Sequence, residues 1–284
     1  MLAKNASLRE QVKTLRASGS LRRVEKTEYY LQILKITFII SFMVSIQNLV
    51  EYYDELYPVS EAQKKFFNSI SLDYQQPVRF LRTSCGAGLF EHFLARDGAD
   101  VTGIEYFPEL LRSANLRRRN QLMSIRFFQM SELDMARFLG KGFYNVLFNL
   151  SNRLIYIHDK TLLRKFFFDA KQLLSENGKL ILELYNYDKF NQSGMFLPVR
   201  ESLRAKMTTS LELSADGNWT VNKTIETGSG RILPVMENEV VFLPKPSEIE
   251  LFAKEAGFSD VMLYSDFDMS PFTGNEDTII AQIS

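Results

Sequence analysis

The sequence predicts an α/β chain wound around a central sheet, with helices on both of its faces. Three observations carry this. Val78–Leu111 reads as strand, small-residue turn, helix and strand, and the second strand closes on a single acid, Glu105. Apolar runs of strand length recur at Ile125–Met130, Tyr144–Asn149 and Lys179–Leu184, with a segment of helical spacing at Thr161–Leu174. Strands and helices that alternate in this way are βαβ units, which bury one sheet between two helical layers. From Glu201 to Pro244 the pattern changes to strict strand alternation, which marks a small antiparallel insertion.

The first unit sets the chemistry. Phe80–Thr83 is apolar or β-tolerant. Ser84, Cys85, Gly86, Ala87 and Gly88 then give a backbone that turns sharply and admits a ligand closely. Leu89–Arg96 follows as a helix, Gly98 stops it, and Val101–Ile104 is the next strand. Small residues at the first strand-to-helix turn and a carboxylate at the second strand end suit a nucleoside, whose ribose hydroxyls donate to the acid. A dinucleotide would want G-x-G-x-x-G, so that a pyrophosphate rests on the helix N-terminus. Here only Gly86 and Gly88 are glycine, and Glu91 near the helix start repels phosphate.

Later elements follow in order. Asn177-Gly178 is expected to stop the Thr161–Leu174 helix. In the insertion, Met207–Leu213 and Trp219–Glu226 are strands joined by Ala215-Asp216-Gly217. Arg231–Pro234 and Glu239–Leu243 add two more. A last helix spans Pro246–Ala256, and Ser259–Tyr264 with Thr278–Ile283 forms the closing hairpin.

The turn and the acid resemble motif I, (D/E)-x-G-x-G-x-G, and the following acidic strand end of class I S-adenosylmethionine (SAM)-dependent methyltransferases. Gly86-Ala87-Gly88 and Glu105 match. Arg82 stands where the family usually carries an acid, and Ser84 where it carries the first glycine. LLSENGKLILEL is similar to the family's segment before strand five. LSNRLIYIHD (Leu150–Asp159), Asn186-Tyr187-Asp188 and Tyr264-Ser265-Asp266-Phe267 resemble the LGNSLxxLxD, NYD and YGDF segments of the glycine/sarcosine N-methyltransferase-like group. Asn152 matches that motif's Asn, while Ser151 and Arg153 replace its Gly and Ser. The resemblance covers positions 48–284. It implies a Rossmann-like seven-stranded sheet and SAM as cofactor, with S-adenosylhomocysteine as its product. The insertion at 201–244 then serves as a lid over a small-molecule acceptor methylated at nitrogen or oxygen.

By the same resemblance, Glu105 accepts the ribose hydroxyls, and Ser84, Cys85, Gly86, Ala87 and Gly88 line the methionine end. Tyr106, Ser131, Glu132 and Leu133 frame adenine, with Ser131 at the usual acidic place, and Asn149 lies beside the methyl. In Glu51–Val59, Tyr53 or Tyr57 reaches the cofactor carboxylate, or packs in the core with its hydroxyl at the surface. Asn152, Arg153, Tyr156, Asn186 and Tyr187 are the acceptor candidates. Arg153 clamps a substrate carboxylate, or forms an ion pair with Asp159 or Glu183. Asn186-Tyr187-Asp188 contacts the acceptor, or caps a local turn. No catalytic residue is named, because a sulfonium methyl carries its own activation and the protein mainly aligns the acceptor. The altered Arg82, Ser84 and Ser131 keep open a catalytically silent relative that binds or scaffolds.

Composition narrows the rest. Lys plus Arg equals Asp plus Glu, 34 each, so no global field draws in nucleic acid. Arg117-Arg118-Arg119 reads as a solvated helix end rather than an RNA contact. The single cysteine, Cys85, permits no internal disulfide and fits a reducing, cytoplasmic setting. With only His92 and His158 beside it, no metal centre is expected, and Cys85 reads as a small loop residue rather than a nucleophile. Residues 1–47 are set apart as a helical extension. Its uncharged run Ile36–Val50 falls short of the ~20 residues a membrane span needs. It reads as an amphipathic helix packed on the domain or on a second subunit in a homodimer, against a membrane-associated segment. Met43 is an alternative natural start.

Overall fold

The computed structural model describes residues 46–118 and 124–284. The expectations for the extension up to position 45, for a start at Met43, for dimerisation through that segment and for Arg119 lie outside them.

Residues 46–56 form helix α1. Ser60 caps the next helix, α2 (Glu61–Ser71), in a reciprocal box: its hydroxyl accepts from the Gln63 N–H, and the Gln63 side chain accepts from the Ser60 N–H. Then come β1 (Arg79–Thr83), α3 (Leu89–Arg96), β2 (Asp100–Glu105), α4 (Pro108–Arg118) and β3 (Ile125–Gln129). A short helix α5 (Met135–Phe138), β4 (Tyr144–Asn149), α6 (Lys160–Leu173) and β5 (Leu174–Tyr185) complete the parallel part. The insertion holds β6 (Met195–Phe196), β7 (Arg200–Glu201), β8 (Ala205–Leu213), β9 (Trp219–Thr227) and β10 (Ile232–Val241). The chain ends with α7 (Pro246–Glu255), β11 (Val261–Tyr264) and β12 (Thr278–Ile283).

The main sheet has seven strands in the order β11-β12-β5-β4-β1-β2-β3. β3, β2, β1, β4 and β5 run parallel, and β12 pairs antiparallel with both β5 and β11. Successive side chains point to opposite faces, so one strand feeds two cores. Phe80, Val146 and Phe148 join Phe66, Phe67, Phe90 and Leu94 of α2 and α3. Leu81 and Leu147 join Phe166, Phe167 and Phe252 of α6 and α7 on the other face. The order reverses between β1 and β4, and ligands in such sheets bind at that switch point, beyond the carboxyl strand ends.

The insertion pairs in the order β10-β9-β8-β6, with β7 on β8. It begins earlier than position 201, at β6. The two strands expected at Arg231–Pro234 and Glu239–Leu243 are one irregular edge strand, β10, with register shifts on both sides of Met236. Pro234 is tolerated there because an edge strand loses no obligatory ladder bond. The Asn177-Gly178 stop also differs. α6 ends at Leu173, and both residues lie within β5; Gly178 has no left-handed φ. Opposite Tyr144 and Val146 of β4, β5 runs from Leu174 to Lys179, so its extra residues bulge out of the ladder.

Candidate active site

The turn after β1 is packed from both sides. Gly86 and Gly88 are left-handed, at φ 62° and 76°. A Cβ on Gly88 would meet the Phe127 ring at 2.7 Å and Ala114 at 2.9 Å, so this glycine lets α4 and β3 close on the turn. A Cβ on Gly86 would lie 1.9 Å from the Tyr53 hydroxyl. Glu105 is buried at the end of β2; its Oε2 accepts the Gly86 N–H at 2.8 Å and its Oε1 the Phe107 N–H at 3.0 Å. The acid therefore holds the turn against β2, and each oxygen keeps a second lone pair for another donor.

Tyr53 comes from α1 and stacks on Tyr57 with ring centroids 4.7 Å apart. Its hydroxyl is buried and has no partner, and burial pushes the phenol up. It lies against the turn rather than at the surface. The cavity left there is about 20 Å³, room for about one water. A far roomier groove of about 540 Å³ lies at the β11 edge near α7, five strands from Glu105, and has no link to the turn.

Arg82 meets Glu91 across this turn, with Nη1 at 3.3 and 3.4 Å from the two carboxylate oxygens, both side chains buried. Burial pulls the guanidinium down, and Glu91 together with Tyr53, Cys85 and Glu183 more than offsets this. Glu91 is thus the counter-ion of Arg82, a pairing missed when each was judged alone in the sequence. The signal was present: an unexpected cation on β1 and an unexpected acid in the first turn of α3.

Around the expected adenine side, Ser131 caps a single helical turn, its Oγ accepting from the Leu133 N–H at 3.2 Å. Glu132 accepts from the Ser84 hydroxyl at 3.2 Å, and burial pushes its carboxyl up. The Leu133 carbonyl takes Lys165 Nζ at 2.7 Å. Tyr106 is 61% exposed. Cys85 is buried, and burial pushes its thiol well up, against a nucleophilic role. Asn149 Nδ2 donates to Thr83 Oγ1 at 2.9 Å, while its buried Oδ1 has no partner.

The acceptor candidates divide. Asn152 is left-handed at φ 58°; its Nδ2 donates to Tyr187 Oη at 2.6 Å and its Oδ1 accepts the Tyr185 N–H at 3.2 Å. Asn186 donates to the carbonyls of Gly274 and Glu276 and accepts the Asp188 N–H. These amides, with Tyr187, tie the ends of β4 and β5 and the 271–277 loop together. Arg153 is buried with neither Asp159 nor Glu183 as its partner. Its Nη2 is 3.7 Å from Glu105, and its Nε and Nη1 have no partner. Asp159 caps α6, and Glu183 accepts the Ser151 N–H. The Arg153 guanidinium lies 5.8 Å from the Phe107 ring centroid and 5.5 Å from that of Tyr156, whose buried hydroxyl is also unpartnered.

Two residues that the sequence reading passed over complete this side. Lys223 of β9 is buried, with its Nζ 5.1 Å above the Tyr156 ring. Arg200 of β7 sits 4.5 Å from the Tyr57 ring centroid. The signal for Lys223 was its phase: it occupies the inward row of β9, between the wholly buried Val221 and Ile225. Among the described residues, no group of side chains is arranged to hold a metal ion, and no helix is long and apolar enough to cross a membrane.

No family model matches the chain. It is 27% identical over 125 residues to a protein of Geobacillus sp. (strain WCH70) named as a methyltransferase, covering 43% of this chain and 49% of that one. It is 30% identical over 125 residues to the ubiquinone biosynthesis O-methyltransferase of Xanthomonas oryzae pv. oryzae (strain PXO99A), covering 42% and 50%. The matched region is thus about half the length of these curated relatives. Among solved structures, the CcbJ methyltransferase of Streptomyces caelestis superposes with a TM-score of 0.68 at 16% identity, covering 84% of this chain and 97% of that one. The SAM-bound amino pentose methyltransferase CalS10 of Micromonospora echinaspora gives 0.58 at 15% identity, covering 82% and 95%. The fold is that of class I SAM-dependent methyltransferases.

Proposed function

We propose that this chain transfers a methyl group from SAM to a small-molecule acceptor at nitrogen or oxygen. The observation that carries this is the glycine turn bonded to Glu105 at the topological switch point. Support also comes from the two relatives, both named as methyltransferases, and from CalS10, which holds SAM on the same fold. The finer likeness to the glycine/sarcosine group rests on the sequence motifs alone.

The residues present suit the cofactor. Glu105 has lone pairs for the ribose hydroxyls, and the unpartnered Tyr53 hydroxyl suits a carboxylate at the turn. Glu132, half-buried beside Ser84, would face the adenine side together with Ser131 and Leu133. When bound, SAM supplies an activated methyl. The chain's own residues orient the acceptor, exclude water and carry off a proton from N–H or O–H. Tyr53 packs against Gly86 in this structure, so cofactor binding at the turn requires its ring to shift.

Calorimetric titration with SAM and with S-adenosylhomocysteine tests the reading. The expected result is micromolar affinity, weakened at least tenfold by Glu105→Ala, or about 1.4 kcal/mol. A folded protein that binds neither ligand would overturn it and leave a binding or scaffold role on the methyltransferase fold.

A further inference from the structure

The inner face of the insertion and the turn after β4 bring three cations together, with Lys223 and Arg153 buried and Arg200 half-buried. Lys223 is flanked on β9 by Val221 and Ile225, and its register partners are Thr209 on β8 and Met236 on β10. Apart from Lys223, these inward positions are apolar or uncharged. Arg153 and Tyr156 approach from the turn after β4, Arg200 from β7 and Tyr57 from the segment after α1. The acids around them are occupied or remote. Glu105 answers Arg153 on one side only, Glu183 accepts the Ser151 N–H and acts on Arg200, which also donates to the Leu56 carbonyl at 3.5 Å, and Glu239 of β10 acts on Tyr156. Among the described residues, the charges that act on Lys223 are those of Arg153 and Arg200.

A buried cation without a partner is costly, and so is a buried donor without an acceptor. Here Nε and Nη1 of Arg153 are such donors, and Lys223 is a largely buried residue with its Nζ over the Tyr156 ring. A ligand carrying negatively charged oxygens satisfies them all.

We propose that Lys223, Arg200 and the free edge of Arg153 form an anion subsite, which seats a carboxylate or phosphate group of the acceptor against the Tyr156 ring. Calling the bound molecule an acceptor rests on the methyltransferase reading; the cation cluster does not. Burial and the two arginines hold the Lys223 amine well below its ordinary value, and an anion seated beside it favours the protonated form.

The test is calorimetry of the full chain with acetate, inorganic phosphate and, as the neutral control, acetamide. Each is run with and without S-adenosylhomocysteine at fixed ionic strength, in two buffers of different ionisation heat. The expected result is binding of acetate or phosphate but not acetamide, with proton uptake. Affinity should fall at least tenfold in Lys223→Met and partly recover in Lys223→Arg. The two anion arms separate a carboxylate from a phosphate. Absence of anion binding in all conditions, or equal binding by Lys223→Met, overturns the subsite. S-adenosylhomocysteine binding without anion binding overturns the subsite alone; anion binding without S-adenosylhomocysteine binding sinks the methyltransferase reading and leaves the subsite standing.

Discussion

The β1 end of the parallel sheet and the inner face of the insertion each bury a cation, and the two regions treat it in opposite ways. Arg82 has Glu91 within 3.3 Å, and both are sealed between β1 and α3. Lys223 has an aromatic ring, two neighbouring arginines and no acid. The first arrangement is a charge pair closed within the fold, with only the Arg82 Nε left without a hydrogen-bond partner. The second is incomplete until something outside the chain completes it. Burial alone therefore does not mark function; burial without compensation does.

The largest effect expected from this contrast is at the compensated pair. Removing one partner strands the other charge, so Arg82→Met or Glu91→Leu alone should destabilise the fold by roughly 3–5 kcal/mol. The double variant Arg82→Met/Glu91→Leu should recover most of that loss, because well-packed apolar side chains replace a buried pair at little net cost. Urea unfolding of the four proteins measures the cycle. Single variants within about 1 kcal/mol of the native chain would break the comparison, since Arg82 would then be no better anchored than Lys223.

At the uncompensated site the sign reverses. Lys223→Met keeps the stem and removes the amine, so it should raise stability by roughly 1–3 kcal/mol at neutral pH. The pH dependence follows from the depressed value. Above the ordinary lysine value of 10.5, the amine is neutral folded and unfolded, and the two proteins should be closest. As pH falls below it, the unfolded chain takes up a proton that the folded site resists, and the native chain loses stability. The gap between variant and native chain should therefore widen as pH falls from about 10.5 to the folded value, then level off. A gap that narrows on acidification would mean that Lys223 is charged and paired.

These two sites were unequally legible in the sequence, for physical reasons. The sheet, the turn and Glu105 were readable because strand periodicity and a glycine turn are local properties of the chain. Arg82 was noticed as a departure, but its remedy was not, because Glu91 reaches it only once α3 folds back over β1. Arg153 was assigned an acceptor or a surface acid, whereas the fold delivers it to Glu105, 48 positions earlier in the chain. Asn152 reads as an acceptor contact and Asn186 as an acceptor contact or a local turn cap; Asn186 accepts the nearby Asp188 N–H, while both amide nitrogens donate to partners that only the tertiary structure supplies. Lys223 was visible as a charge in an inward phase, and it was passed over because a strand's phase is meaningful only once the buried face is known.

The smallest expected effect separates the two regions at their backbones. Ser84 on the cofactor side and Ser151 on the acceptor side both stand where the family resemblance places glycine. Both keep the left-handed conformation, at φ 50° and 60°. A side chain there costs ~1–2 kcal/mol, which glycine would relieve, less the entropy glycine adds to the unfolded chain. Ser84 offsets its strain by donating to the half-buried Glu132 at 3.2 Å, so Ser84→Gly should change stability by less than about 0.5 kcal/mol. At Ser151 it is the backbone N–H that is engaged, by Glu183, and glycine keeps that bond. Ser151→Gly should therefore stabilise by roughly 0.5–1 kcal/mol, a rise in thermal midpoint of a few degrees for a domain of this size. Equal gains at both positions would show that the Ser84 hydroxyl contributes nothing through Glu132. The cofactor side would then be no more closely compensated than the acceptor side.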